Sequence, residues 1–175
     1  MTPDLSYAQV GATRVADAVW ETGPAGYRRF ERTTRIGNGE AQWEAATSAV
    51  LRWAVKTRSG FAVEAGPGDD LRVREGQDYV LVASLGPFGL REPVRVVAVT
   101  DGPVRCGFAY GTREGHPVSG EEAFIVHRTP DGSLWLTLRP LTRPARGRWR
   151  LAFPAALVAQ RWYRHRYARA LLPAA

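Results

Sequence analysis

Five titratable residues crowd the middle of the chain, Tyr110, Glu114, His116, Glu121 and Glu122, all within GFAYGTREGHPVSGEEAF at 107–124. A histidine beside carboxylates exchanges protons near neutral pH, and a tyrosine hydroxyl can donate a hydrogen bond to a developing oxyanion. His116, Glu122 and Tyr110 are therefore the candidate catalytic residues, with His116 as the general base. If Glu122 opens a strand, strand alternation puts Glu121 and Glu122 on opposite faces, so at most one of them easily faces a shared cavity. The same residues also have a plainer use. Gly111, Gly115, Pro117 and Gly120 describe a long, exacting connection whose backbone His116 and the glutamates can brace with hydrogen bonds. Both readings stand at this level.

The elements that must hold these residues emerge from periodicity and turn chemistry. Residues 27–35 (YRRFERTTR) read as a partly exposed strand before the Gly37-Asn38-Gly39 turn. From Glu40 to Lys56 the apolar residues Trp43, Ala46, Val50, Trp53 and Ala54 recur at helical spacing. After AGPGDD the period becomes that of extended chain. Strands are expected at Tyr79–Leu85, Val94–Thr100, Val104–Tyr110, Glu122–Arg128 and Ser133–Leu138. Asp101-Gly102-Pro103 and Pro130-Asp131-Gly132 make tight connections between antiparallel neighbours. A last helix is expected from Pro154 to Leu172, with proline in the first turn, where a missing N–H is tolerated.

This order gives an α+β fold in which a curved antiparallel β-sheet wraps around a long C-terminal helix, the helix-grip plan. With 175 residues, no internal repeat and no linker-like stretch, the whole of 1–175 is expected to be a single domain. Sheets of this kind enclose a cavity between their concave face and the helix. On the final helix, Ala156, Ala159, Tyr163, Tyr167 and Ala170 share one stripe with Arg166 at its margin. Arg166 either packs its stem while its head reaches water or pairs with Glu121 or Glu122 across that cavity.

Charge narrows the partners. The net charge is +7, yet residues 132–175 hold nine arginines (139, 143, 146, 148, 150, 161, 164, 166 and 169) and no acidic residue, so the whole excess sits in the last quarter. Arginine supplies 23 of the 24 basic side chains, a bias that genome composition explains as well as bidentate anion binding does. Trp149, Trp162, Tyr163 and Tyr167 interleave with these arginines, a pattern that also suits nucleic acid or an anionic membrane surface. No nucleic-acid-binding motif, phosphate loop, dinucleotide fingerprint or nucleophile elbow is present. His116, His127 and His165 complete no metal-ligand spacing, and neither metal nor cofactor is expected. Cys106, the only cysteine, reads as packing and suits a reducing, cytoplasmic setting. The N-terminus lacks a secretory pattern, and the longest uncharged run, Tyr79 to Leu90, is too short for a transmembrane segment.

YAQVGAT near the start, PAGY before the first strand, RIGNGEAQWEAATSAVLRW at the first helix and GFAYGTREGHPVSGEEAF together resemble an uncharacterised protein family, number 0548 in the UPF series. The Gly-Phe-X-Tyr-Gly-Thr and Gly-His-Pro-X-X-Gly-Glu-Glu-X-Phe stretches are intact at 107–112 and 115–124, and LTRP at 141–144 is similar to the family's Ser-Arg-Pro signature with threonine for serine. The resemblance implies no settled activity. Its overall pattern is similar to the helix-grip superfamily of lipid-transfer proteins and polyketide cyclases, which bears on the fold and not on a substrate.

Three functions remain in play: a small-molecule binding domain for an apolar or aromatic ligand, contacted by Tyr110, His116, Glu121, Glu122 and Arg166; a cyclase, isomerase or hydratase using His116 as base with Tyr110 or Arg166 as electrophilic partner; and a module that docks its arginine-rich end on an acidic partner. A pocket between sheet and final helix is required by the first two and separates them from the third.

Overall fold

A computed structural model describes residues 4–85, 88–145, 147 and 149–173. Arg146 and Arg148 of the cationic run lie outside the described residues, and so do the side chains of Trp149 and Arg150. Eight strands form one antiparallel sheet: β1 Arg28–Arg29, β2 Arg32–Asn38, β3 Phe61–Glu64, β4 Asp78–Leu85, β5 Phe88–Asp101, β6 Arg105–Thr112, β7 Val118–Arg128 and β8 Ser133–Pro144. Their spatial order is β1-β8-β7-β6-β5-β4-β3, with β2 also paired to β8. Helices α1 Glu40–Val50 and α2 Ala54–Thr57 lie between β2 and β3, and α3, Trp149–Arg169, closes the chain.

The helix-grip architecture expected from the sequence is what forms. One face of the sheet buries Phe108, Phe124, Val126, Leu136 and Leu138 against Trp43, Val50 and Trp53 from the α1–α2 region and Tyr167 from α3. Register shifts at Val96/Ala98 in β5 and Arg35/Gly37 in β2 bend the strands, as bulges do. The opposite face carries a smaller cluster, Val15, Ala109, Ala123 and Ile125, covered by the N-terminal segment.

Several boundaries differ from those expected. The first strand divides into β1 and β2, both paired to β8, and β3 joins the sheet edge from a stretch with no expected element. β5 begins six residues before Val94 and accommodates Pro93 opposite Val80 of β4, where β6 has already ended at Thr112. α3 starts at Trp149, so Pro154 lies inside the helix. The connection in 107–124 is also shorter than expected. β6 runs to Thr112 and β7 starts at Val118, leaving only 113–117 between them.

The expected continuous helix from Glu40 to Lys56 is broken. It caps at Leu51, and Trp53 takes a left-handed conformation with φ 63° before α2 restarts. Trp53 is completely buried between Tyr79, at 5.0 Å between ring centroids, and Phe108, at 4.7 Å. Aromatic packing of this kind offsets the local cost of a positive φ. The break turns α2 to a new orientation. In an unbroken helix Lys56 would sit roughly 110° off the apolar stripe, whereas here it is buried with only 3% of its surface exposed.

Candidate functional site

The antiparallel register of β6 and β7 pairs Tyr110 with Glu122 and Gly111 with Glu121. Because side chains alternate, Tyr110 and Glu122 face the helices while Glu121 faces the opposite side. A partly open cavity of about 330 Å³ lies between the sheet and α3. Its walls are mainly apolar, built from Phe61, Leu90, Val118, Ala156, Ala159 and Tyr163, and its polar groups are supplied by Lys56, Glu92, Tyr110, His116, Glu122 and Tyr167.

Lys56 organises the polar end. Its Nζ lies 2.9 Å from Glu122 Oε2 and donates to Tyr167 Oη at 2.7 Å. The rings of Phe61 and Tyr167 lie with their centroids 4.6 Å from the same nitrogen, an aromatic setting that favours a cation. Tyr110 donates its hydroxyl hydrogen to Glu122 Oε2. Burial first, then the neighbouring Glu122 carboxylate, hold the Tyr110 and Tyr167 hydroxyls well above the ordinary tyrosine range, so both stay protonated.

Glu92, on β5, enters the same space, and among the described residues it has no cationic ion-pair partner. Burial raises its carboxyl from 4.5 to about 7, with Glu122 pushing the same way and Lys56 opposing. Its nearest partner is His116 Nε2 at 3.7 Å, too far for a hydrogen bond. His116 is buried in the β6–β7 connection, and its Nδ1 lies 2.9 Å from the Val118 carbonyl oxygen and 3.1 Å from the Val118 N–H. Burial and then the Lys56 charge lower His116 to about 3. The imidazole is therefore neutral beside Glu92, and the contact is not an ion pair.

The role expected of His116 is that of general base. A ring nitrogen tied to backbone, in an imidazole that resists protonation, makes a poor general base. Glu92 is the group poised to exchange a proton near neutral pH. Glu114 is exposed in the connection, so it adds nothing to the cavity's polar end.

Glu121 serves the other face of the sheet. Although it borders the cavity, its carboxylate accepts hydrogen bonds from Tyr7 Oη at 2.9 Å, Gly11 N at 2.5 Å, Thr13 N at 3.1 Å and Thr13 Oγ1 at 2.8 Å. Gly111 makes this approach possible, since a Cβ there would sit 2.1 Å from the Tyr7 hydroxyl. At Gly120, φ is +143° and a Cβ would meet the Leu141 carbonyl at 1.9 Å, which restricts the site to glycine. Arg139 completes the clamp: its guanidinium pairs with Glu31 at 2.6 Å and donates to the carbonyls of Arg14, Asp17 and Ala18 at 2.8, 3.0 and 3.1 Å.

Of the two places expected for Arg166, the outward one is taken. It is exposed, with its guanidinium 4.7 Å from the Trp162 ring centroid, and Lys56 supplies the cation that Glu122 meets. The inward stripe of α3 does form: Ala156, Ala159, Tyr163 and Tyr167 line the cavity, and Ala170 is buried. Arg166 lies one residue before Tyr167 and turns to the outside. The arginines of the last quarter divide accordingly, with Arg139 and Arg143 bracing the N-terminal segment and Arg161, Arg166 and Arg169 exposed on α3.

Two residues at the polar end escaped sequence reasoning, Lys56 and Glu92. A signal for Lys56 was present: it is the only lysine in a chain that otherwise uses arginine for every basic side chain. A compact ammonium fits a narrow aromatic site that a planar guanidinium does not. Glu92 carries no such mark.

A model of a domain of unknown function, DUF1990, matches residues 6–170, nearly the full chain. The chain belongs to the DUF1990 family. It is 36% identical over 156 residues to a UPF0548 protein of Deinococcus radiodurans, covering 85% of this chain and 78% of the relative. It is 24% identical over 149 residues to the UPF0548 protein At2g17695 of Arabidopsis thaliana, covering 78% and 68%. Among solved structures it is similar to the hypothetical protein jhp0584 from Helicobacter pylori, with a TM-score of 0.60 at 7% identity over 83% of this chain and 85% of that one. It is also similar to Ara h 8.0201, a Bet v 1-like protein, with a TM-score of 0.50 at 12% identity over 83% and 99%. At such identities the likeness is one of fold, and it agrees with the helix-grip architecture. Within this DUF1990 chain, the motif stretches that carried the resemblance divide between the two faces. YAQVGAT, Gly111 and Glu121 build the N-terminal clamp, while Tyr110 and Glu122 enter the cavity.

Proposed function

We propose that the protein binds a small, largely apolar or aromatic molecule in the cavity between the sheet and α3, with Lys56, Glu92, Tyr110 and Glu122 at its polar end. The observation that carries this reading is the cavity itself: about 330 Å³, apolar along its walls, with charged groups gathered within it. A space filled by packed side chains would have argued for a purely structural helix. Sites of this size and composition suit small ligands oriented by a few polar contacts.

Binding alone accounts for the geometry. His116, neutral and tied to Val118, lacks the basicity that the cyclase, isomerase or hydratase reading assigned to it. A reducing, cytoplasmic setting belongs to the same proposal. It is supported by Cys106, buried in the core with its thiol pushed up to about 12, chiefly by burial.

The test uses N-phenyl-1-naphthylamine, a neutral apolar fluorophore whose emission rises on leaving water. Saturable enhancement is expected with the wild type. Ala156→Trp, which places an indole in the cavity from α3, is expected to abolish it. Enhancement unchanged by Ala156→Trp would place the fluorophore elsewhere and remove the proposal.

A further inference from the structure

We infer that the cavity selects an amphiphilic amine: an apolar or aromatic body carrying one positively charged nitrogen, placed against the carboxylate of Glu92. The inference rests on the small-molecule binding proposed above and names the chemical class of that ligand.

The argument is one of charge and unused hydrogen-bonding capacity. Among the described residues lining the cavity, Lys56 is the one cation, and two carboxylates, Glu92 and Glu122, face it across the same space. Two of the three N–H groups of the Lys56 ammonium are already directed, one to Glu122 and another to Tyr167. Glu122 meets both Lys56 and the Tyr110 hydroxyl through its Oε2. Among the described residues Glu92 has no hydrogen bond of its own; its Oε2 lies 3.7 Å from the neutral imidazole of His116.

The Glu92 side chain is only 15% exposed, and a carboxylate in such a partly desolvated, mainly apolar cavity gains from an incoming donor, most of all from a cationic one. A ligand carboxylate or phosphate would instead enter a site where Lys56 is already neutralised and a second carboxylate waits. That is repulsion without compensation. The groups facing Glu92 from each surrounding element are consistent with this choice. Lys56 comes from α2, Tyr110 from β6, His116 from the connection, Glu122 from β7, and Tyr163 and Tyr167 from α3. Of these, only Lys56 is cationic. The tyrosine rings further favour a ligand cation over a ligand anion.

Burial, with Glu122 adding to it and Lys56 opposing, raises Glu92 from 4.5 to about 7, so it is largely ionised at about pH 8.

The experiment is competition against N-phenyl-1-naphthylamine at about pH 8, with three ligands that share one ring system: 2-(1-naphthyl)ethylamine, 2-(1-naphthyl)ethanol and 1-naphthylacetate. The amine is expected to displace the fluorophore at concentrations at least about tenfold below those needed by the acid, with the alcohol between them. Glu92→Gln keeps the shape and removes the charge, and it is expected to erase most of the amine's advantage over the alcohol. Displacement by the acid as effective as by the amine in the wild type would overturn the inference, and that ranking stands whether or not the variant folds. An amine preference that survives intact in Glu92→Gln would overturn it as well. Failure of the fluorophore to bind at all removes the underlying cavity reading along with it. Fluorophore binding with the wrong ranking removes this inference alone.

Discussion

Glu121 and Glu122, consecutive in the chain, hold their carboxylates on opposite faces of β7. Glu121 accepts four hydrogen bonds from Tyr7, Gly11 and Thr13, and Glu122 meets Lys56 at 2.9 Å on the other side. Each carboxylate therefore has a separate consequence. Glu121→Gln removes the charge that four donors converge on, and is expected to cost roughly 2–3 kcal/mol by urea denaturation. The N-terminal segment should then become sensitive to trypsin at Arg14, while N-phenyl-1-naphthylamine affinity stays within about twofold of wild type because the Glu121 carboxylate is turned away from the cavity toward Tyr7 and Thr13.

Gly111→Ala should reproduce that phenotype by a steric route. Its Cβ would lie 2.1 Å from the Tyr7 hydroxyl, so Tyr7 must leave Glu121. Trypsin cleavage at Arg14 should accelerate in this variant as in Glu121→Gln. Wild-type resistance in Gly111→Ala would show that Tyr7 can move without loosening the segment.

Removing Lys56 strands Glu122 in a buried setting. Lys56→Met is expected to cost roughly 3–5 kcal/mol, and combining it with Glu122→Gln should cost clearly less than the two single changes added together. Lys56→Arg should also destabilise, since the site holds a compact ammonium among the rings of Phe61, Tyr110, Phe124 and Tyr167. A denaturation cycle showing simple additivity would mean the pair contributes no coupling.

The pH dependence of stability contains two opposed contributions. Glu92 rises from 4.5 to about 7 on folding, so the unfolded chain gives up this proton first, and stability falls as pH rises through that interval. His116 drops from 6.5 to about 3, so the unfolded chain takes up this proton first, and stability falls as pH decreases from about 6.5 toward 3. Between 4.5 and 6.5 the slopes act against each other. Relative to wild type, Glu92→Gln is expected to be more stable by roughly 3 kcal/mol at about pH 8 and to show no such advantage at about pH 4. Denaturation of both proteins at the two pH values measures it; identical stability at pH 8 would return Glu92 to an ordinary carboxyl.

Arg166→Met should change stability by less than about 0.5 kcal/mol, because an exposed guanidinium over Trp162 loses little on truncation. Fluorophore affinity should be unchanged too. A marked loss of either would restore a role for Arg166 in the cavity.

Local patterns along the chain determined the fold class, the antiparallel strands from β4 to β8, and the inward stripe of α3, because alternation and helical spacing are properties of neighbouring residues. They also determined that Glu121 and Glu122 diverge, a consequence of strand geometry alone. The composition of the cavity was decided only by the tertiary structure. Lys56 becomes an interior residue because Trp53, buried among Tyr79, Phe108 and Tyr110, breaks the helix before it. Glu92 acquires its unusual proton affinity from burial and from charges on other elements. His116, which local sequence offered equally as a base or as a brace for the connection, is lowered by burial and then by the Lys56 charge. Proton affinity and ion pairing depend on through-space distance and solvent exclusion, and neither is written in the spacing of residues along the chain.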